Sequence, residues 1–270
     1  MGMRDMWTKA VRLFAIGLRD PVEFMDRVAI AIQGRSEVEP LSEGNAVPPS
    51  AGSVAPESLK SLADRVGLRS DGVVGLEDAD SEWAALQLEW QELWAMIDYR
   101  AGHDADPALV RTIWLSCRIL QPDVVVETGV GRGVSTFAIL NALERNGRGR
   151  LISIDLPPLA DPWYSASAEL VPDALRYRWE YRRGSVRRVL PEVLRSLAAG
   201  GGAAAVYVAD SLHTATHIQW EVDLALGALA PGGVVIIDDV ETWIEAFPDR
   251  RGSSIIAHDS KGGVFAFLKP

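Results

Sequence analysis

Residues 124–136 read VVVETGVGRGVST: three valines run into an acid, Glu127, and Gly129, Gly131 and Gly133 follow at alternate positions. A short β-branched run reads as a buried strand, and glycines at its end let the backbone turn tightly and approach a ligand. The apolar stretch 134–143 then opens a helix whose free N–H groups face the same ligand. Three further groups of chemistry-bearing residues follow. Asp155 closes the apolar run 151–155, Asp210 is followed by His213 and His217, and Asp238-Asp239 closes the run 234–237.

The glycine pattern describes a nucleotide cradle, and its charge narrows the nucleotide. A GxGxxG motif alone is weak, and here its last position is Val134. Glu127, two places before Gly129, would repel a pyrophosphate and attract a cationic group, so the loop suits a cationic nucleoside better than a dinucleotide. Asp155 suits a ribose diol. Asp210, Asp238 and Asp239, brought together by two strand ends, would make a hard-oxygen site fit for Mg²⁺. The alternative is that Asp238 and Asp239 cap the next helix and bond loop amides.

These groups need a scaffold that gathers strand ends. Strands are expected at 124–127, 151–155, 177–183, 204–209 and 234–237, with helices between them, and 254–257 and 264–268 read as a hairpin. Alternating strands and helices specify a parallel sheet with ligands at the carboxyl ends of its strands, where Glu127, Asp155, Ser185, Asp210 and Asp238 fall. Upstream, 3–19 is a basic amphipathic helix with Trp7, Val11, Phe14, Ala15 and Leu18 on one face. It could touch a membrane surface, but packing on its own protein or on a second subunit is the expectation. A helix from Pro21 to about residue 33 follows, then a Glu-, Ser-, Gly- and Pro-rich linker at 34–56. Helices are expected again at 57–67, at 81–100 with Ser81 as cap and Trp83, Trp90 and Trp94 in an apolar stripe, and at 107–120.

Composition excludes several classes. A formal charge of −10 over 270 residues argues against a general nucleic-acid binder. No run approaches the roughly 18 apolar residues of a membrane span, so neither a signal peptide nor stable membrane insertion is expected. The one cysteine, Cys117, lies in an apolar helical pattern and reads as core, which suits a reducing cytoplasm.

Taken in order, VVVETGVGRGVST, ISIDL, ADSLHTATH and LAPGGVVIIDDV resemble the class I S-adenosylmethionine-dependent methyltransferases, and within them the macrocin-type O-methyltransferases. The resemblance implies a Rossmann-like, doubly wound α/β fold: a mostly parallel seven-stranded sheet with a C-terminal antiparallel hairpin and, here, an N-terminal helical extension. The expected domains are a helical arm at 1–33, the linker at 34–56, a helical cap region at 57–120 and the methyltransferase domain at 121–270. Carried over by position, Glu127, Gly129, Gly131 and Gly133 would hold the methionine part, Ser135 its carboxylate, Asp155 the ribose hydroxyls, and Gly184 and Ser185 the adenine. Asp210, Asp238 and Asp239 become candidate metal ligands.

The implied reaction is transfer of a methyl group to a hydroxyl of a small molecule or saccharide, assisted by Mg²⁺, with His213 and Asp210 as catalytic candidates. His217 is given no catalytic role. The loops holding Trp163, Tyr164, Trp243 and Phe247 could form a lid or a sugar-stacking surface, or be ordinary packing. Alternatives are a metal-independent methyltransferase, a nicotinamide-dependent oxidoreductase and a cofactor-binding scaffold. Homo-oligomerisation through the N-terminal helices is a further expectation.

Overall fold

A computed structural model of the chain describes residues 3–37, 76–92, 105, 107–157, 159, 168–239, 254–258 and 263–269. The elements in order are α1 (Met3–Arg19), α2 (Pro21–Glu37), α3 (Leu76–Glu89), α4 (Pro107–Leu120), β1 (Val124–Thr128), α5 (Val134–Asn146), β2 (Arg150–Asp155), a 3₁₀ turn (Asp173–Arg178), β3 (Trp179–Arg183), α6 (Val186–Ala199), β4 (Ala204–Ala209), α7 (Ala215–Ala228), β5 (Leu229–Ile237), β6 (Ser254–His258) and β7 (Gly263–Leu268). One seven-stranded sheet has the order β3-β2-β1-β4-β5-β7-β6. Strands β3, β2, β1, β4 and β5 pair in parallel, and β7 runs antiparallel to both β5 and β6. The order reverses direction between β1 and β4, and at such a switch point a crevice opens over the carboxyl ends of the strands.

Period-two alternation divides the strand residues between two cores. Val125, Leu151, Val206, Val208 and Val234 face α4 and α5 with Ile113, Trp114, Phe137 and Leu140. Val126, Ile152, Ile154, Tyr207 and Val235 face α6 and α7 with Leu190, Val222 and Ala225. With both faces covered, every residue of β1 is buried, which is why its sequence is an unbroken apolar run into Glu127. Gly147, left-handed at φ 67°, ends α5.

Several boundaries differ from the sequence reading. Helix α2 continues to Glu37, past the expected end near residue 33, and Asp20 caps it by accepting from the Glu23 N–H at 2.9 Å. Helix α3 starts at Leu76, so Ser81 lies inside it rather than capping it. Two acids, Glu77 and Asp78, suit its first turn, and Asp80–Arg111 and Glu82–Arg118 ion pairs fasten it to α4. Trp83 packs on Trp114 and Trp90 packs edge-on to Phe137, so both belong to the core. Strand β5 starts at Leu229 rather than 234, because the 231–233 segment bulges between two parallel registers and bonds Lys269 beyond β7. On the apolar stripe of α1, Trp7, Val11, Phe14 and Leu18 are all at least 60% exposed. Among the described residues no helix is long and apolar enough to cross a membrane. Most of the expected linker, the 57–67 helix, Trp94, the aromatic loops with Trp163, Tyr164, Trp243 and Phe247, and the 259–262 turn lie outside the described residues.

Candidate functional site

A cleft of about 250 Å³ opens over the carboxyl ends of β1, β2 and β4. Gly129, Gly131, Ser135, Asp155, Gly184, Ser185 and Asp210 line it, together with the apolar side chains of Val130, Val134, Ile154, Leu156, Val186 and Leu212. Of the residues expected to bind a cofactor, only Glu127 and Gly133 are absent from the wall, and both lie directly beneath it. Gly133, at φ 98°, starts α5, and a Cβ there would come within 2.7 Å of Val171. Gly129 is fixed more tightly: at φ 82°, its Cβ would stand 1.7 Å from the Asp210 carbonyl oxygen. Only glycine lets the β1 and β4 loops touch here.

Glu127 is fully buried and accepts hydrogen bonds from the hydroxyls of Ser135 (2.7 Å), Thr136 (2.7 Å) and Ser153 (2.6 Å). It therefore acts on the cleft through the field under the loop and through the Ser135 hydroxyl it orients. Burial raises its pKa, the three hydroxyls oppose this, and nearby Asp210 raises it further, so that it stands at about 7 against an ordinary 4.5. Because the folded value is the higher one, charging Glu127 costs stability. The cost is absent below the unfolded value and grows to about 3 kcal/mol once pH exceeds the folded one. The ligand-free protein should lose stability between about pH 5 and pH 8, and Glu127→Gln should flatten that slope. Urea midpoints across this range measure it, and parallel profiles for the two proteins would refute the assignment.

Asp210, on the wall of the cleft, forms a cluster with His213 and Asp238 in which each residue places one ligand atom within 4.8 Å of the others. The cluster is thus two carboxylates and an imidazole, rather than the three aspartates expected. Asp239, at φ 50°, instead contacts His213 Nδ1 from the far side of the ring, while His213 Nε2 lies 3.3 Å from Asp210. Burial alone would lower the His213 pKa, but the hydrogen bonds and charges of Asp210 and Asp239 hold it well above the usual range. The donor set fits a divalent cation, with Asp239 behind the histidine as metal-bound imidazoles commonly require. A nitrogen donor widens the choice from Mg²⁺ to transition ions such as Mn²⁺.

Sequence reasoning missed a second buried charge. Glu221 is fully buried and accepts from Thr128, Tyr207 (2.7 Å), Ser211 (2.9 Å) and His217 Nε2 (3.0 Å). Burial raises its pKa, but the His217 contact and the hydroxyls outweigh this and bring it below the ordinary value. His217 also lines the cleft, so its position over the β4 loop is set by Glu221 one helical turn on. An acid in the apolar face formed by Ile218, Val222 and Ala225 was the signal for it. Cys117 is buried, and burial raises its thiol pKa, as befits a core residue.

Residues 126–240, somewhat less than half of the chain, match the family model described as a methyltransferase domain. The match runs from β1 to just past β5 and contains every wall residue named above. Comparison with curated protein sequences gives no match. Among solved structures, the chain is similar to the O-methyltransferase TomG of Streptomyces achromogenes, solved with S-adenosylmethionine. That likeness has 20% identity and a TM-score of 0.48, and covers 66% of this chain and 89% of the other. It is also similar to an O-methyltransferase of Bacillus cereus solved with S-adenosylhomocysteine, at 15% identity and a TM-score of 0.46, covering 82% of this chain and 94% of the other. At these identities and TM-scores the likenesses are loose.

Proposed function

We propose that the protein is an S-adenosylmethionine-dependent O-methyltransferase acting on a hydroxyl of a small molecule or saccharide, assisted by a divalent cation such as Mg²⁺. The observation that carries this reading is the lining of one cleft. Diol- and nucleoside-suited residues, Asp155, Gly184 and Ser185, line it together with Asp210, and Asp210 is at the same time a member of the Asp210–His213–Asp238 cluster. Glu127 under the glycine loop favours a cationic ligand over a pyrophosphate.

When bound, the cofactor supplies an electrophilic methyl group on a sulfonium sulfur. The chain's own residues then have three tasks. Asp155, on the cleft wall, would accept hydrogen bonds from the ribose hydroxyls, and the backbone at Gly129 and Gly131 would permit close approach. Asp210, His213 and Asp238 would hold the cation, which lowers the pKa of an acceptor hydroxyl and fixes its position. The acceptor hydroxyl would give its proton to the carboxylate of Asp210, which lines the cleft. Without a cation the two carboxylates hold His213 protonated; to hold the cation it would have to be neutral, with Nδ1–H given to Asp239 and Nε2 turned to the ion, so cation binding would release a proton.

Isothermal titration should give binding of S-adenosylmethionine and none of NADH. Labelled methyl transfer to a panel of sugars and phenols should be lost on chelation and restored by Mg²⁺ or Mn²⁺. Binding of NADH alone would replace this reading with an oxidoreductase, and transfer that survives chelation would remove the cation from it.

A further inference from the structure

We infer that helix α2 of the N-terminal arm is part of the cofactor site, with Ile30 as the apolar wall of its nucleoside end and Asp26 as the residue that positions Gly184 and Ser185. The inference rests on the S-adenosylmethionine reading of the cleft. Among the described residues of the arm, Ile30 alone lines the cleft, whose wall also includes Leu156, Ser185 and Val186. It stands one helical turn after Asp26, whose carboxylate accepts from the Ser185 backbone N–H at 3.2 Å and from Arg188 Nε at 2.9 Å. Ser185 occupies the N-cap position of α6 and makes no side-chain cap bond, and its own backbone N–H is bonded by a carboxylate from 159 positions upstream, in the place a capping-box acid would take.

The other tethers lie on the same face. Glu23 accepts two hydrogen bonds from Arg183, both at 3.0 Å, and Gln33 accepts one from Arg187. Positions 23, 26, 30 and 33 share one side of a helix, while Val22, Met25 and Ile32 point to solvent. Both acids are shielded, with Glu23 and Asp26 side chains 10% and 11% exposed. They therefore hold more firmly than surface ion pairs.

The tethered segment is also the one that sets the diol-binding acid. Asp155 pairs with Arg183 in the β2–β3 register, and the Gly184 N–H donates to the Asp155 carbonyl at 2.9 Å. A shift of α2 is thus passed through one loop to Ser185 and Asp155 together. An apolar side chain over a purine face adds contact area that water cannot replace, and a charged side chain there would have to be desolvated when the base enters.

The test is isothermal titration of full-length protein with S-adenosylhomocysteine and with adenosine, alongside thermal melting without ligand. Ile30→Arg is expected to weaken both ligands about tenfold or more, Ile30→Ala about threefold, and Ile30→Leu to restore wild-type affinity. Asp26→Asn should weaken binding by about threefold through the displaced loop, and Trp7→Ser on exposed α1 should change nothing. The ligand-free melting temperatures of the Ile30 variants should stay close to that of wild type, which a merely structural role would not allow. Wild-type affinity in both Ile30→Arg and Ile30→Ala would overturn the role of the arm and leave the cofactor reading standing. Absence of S-adenosylhomocysteine binding to the wild-type protein would overturn the cofactor reading and this inference with it.

Discussion

Asp155→Ala is expected to weaken S-adenosylhomocysteine binding about 100-fold, because a carboxylate accepting from two vicinal hydroxyls makes charge-assisted bonds worth together about 3 kcal/mol. Asp155 lies half-buried at the carboxyl end of β2, on the wall of the cleft. Its backbone pairing with Arg183 of β3 does not depend on its side chain, so the sheet should survive the change. Asp155→Asn, which keeps one acceptor oxygen without the charge, should fall between the two. Calorimetric titration reads the affinities and a thermal melt checks the fold. An Asp155→Ala protein that binds within threefold of wild type would remove the diol assignment.

Asp238→Ala is expected to act on the candidate cation cluster, lowering turnover by about 10³-fold while S-adenosylhomocysteine affinity stays within about threefold. The two variants together test whether one cleft holds two separable functions, and equal loss of binding in both would refute it. Asp238 is buried at the end of β5 and is one of the three donors in the candidate cation cluster. Removing one of two carboxylates held so close relieves their mutual repulsion, so the cation-free variant should melt no lower than wild type. A lowered melting temperature with turnover preserved would instead mark Asp238 as a structural cap, the alternative that its sequence position leaves open. Titration with Mn²⁺ supplies a further readout: Asp238→Ala should lose binding that Asp155→Ala retains.

The sequence made the scaffold legible through local rules. A triple valine into an acid, glycines at alternate positions and recurring strand-to-helix changes of period are properties of neighbouring residues, and they place β1, the loop and α5 with little error. The same reasoning placed Asp155, Asp210 and Asp238 at strand ends, and the fold brings Asp155 and Asp210 to one cleft and Asp238 beside Asp210. Ser81 reads locally as a cap, but the ion pairs of Asp80 and Glu82 with Arg111 and Arg118 fasten a helix that already contains it.

What the sequence by itself determined is therefore the cradle: the alternate glycines, the acid before them and the acids that close each strand. What only the tertiary structure decided is the wiring between positions far apart in the chain. It put Glu127 beneath the loop with three hydroxyls around its carboxylate. It set His213, rather than Asp239, beside Asp210 and Asp238, and it joined Glu221 to His217 under the β4 loop. It also laid α2 across the Gly184–Ser185 wall, more than 150 residues away in sequence. The physical reason is that periodicity and turn chemistry act over a few residues, whereas the choice among several acids for one imidazole or one amide depends on distances of a few ångströms that only the folded sheet defines.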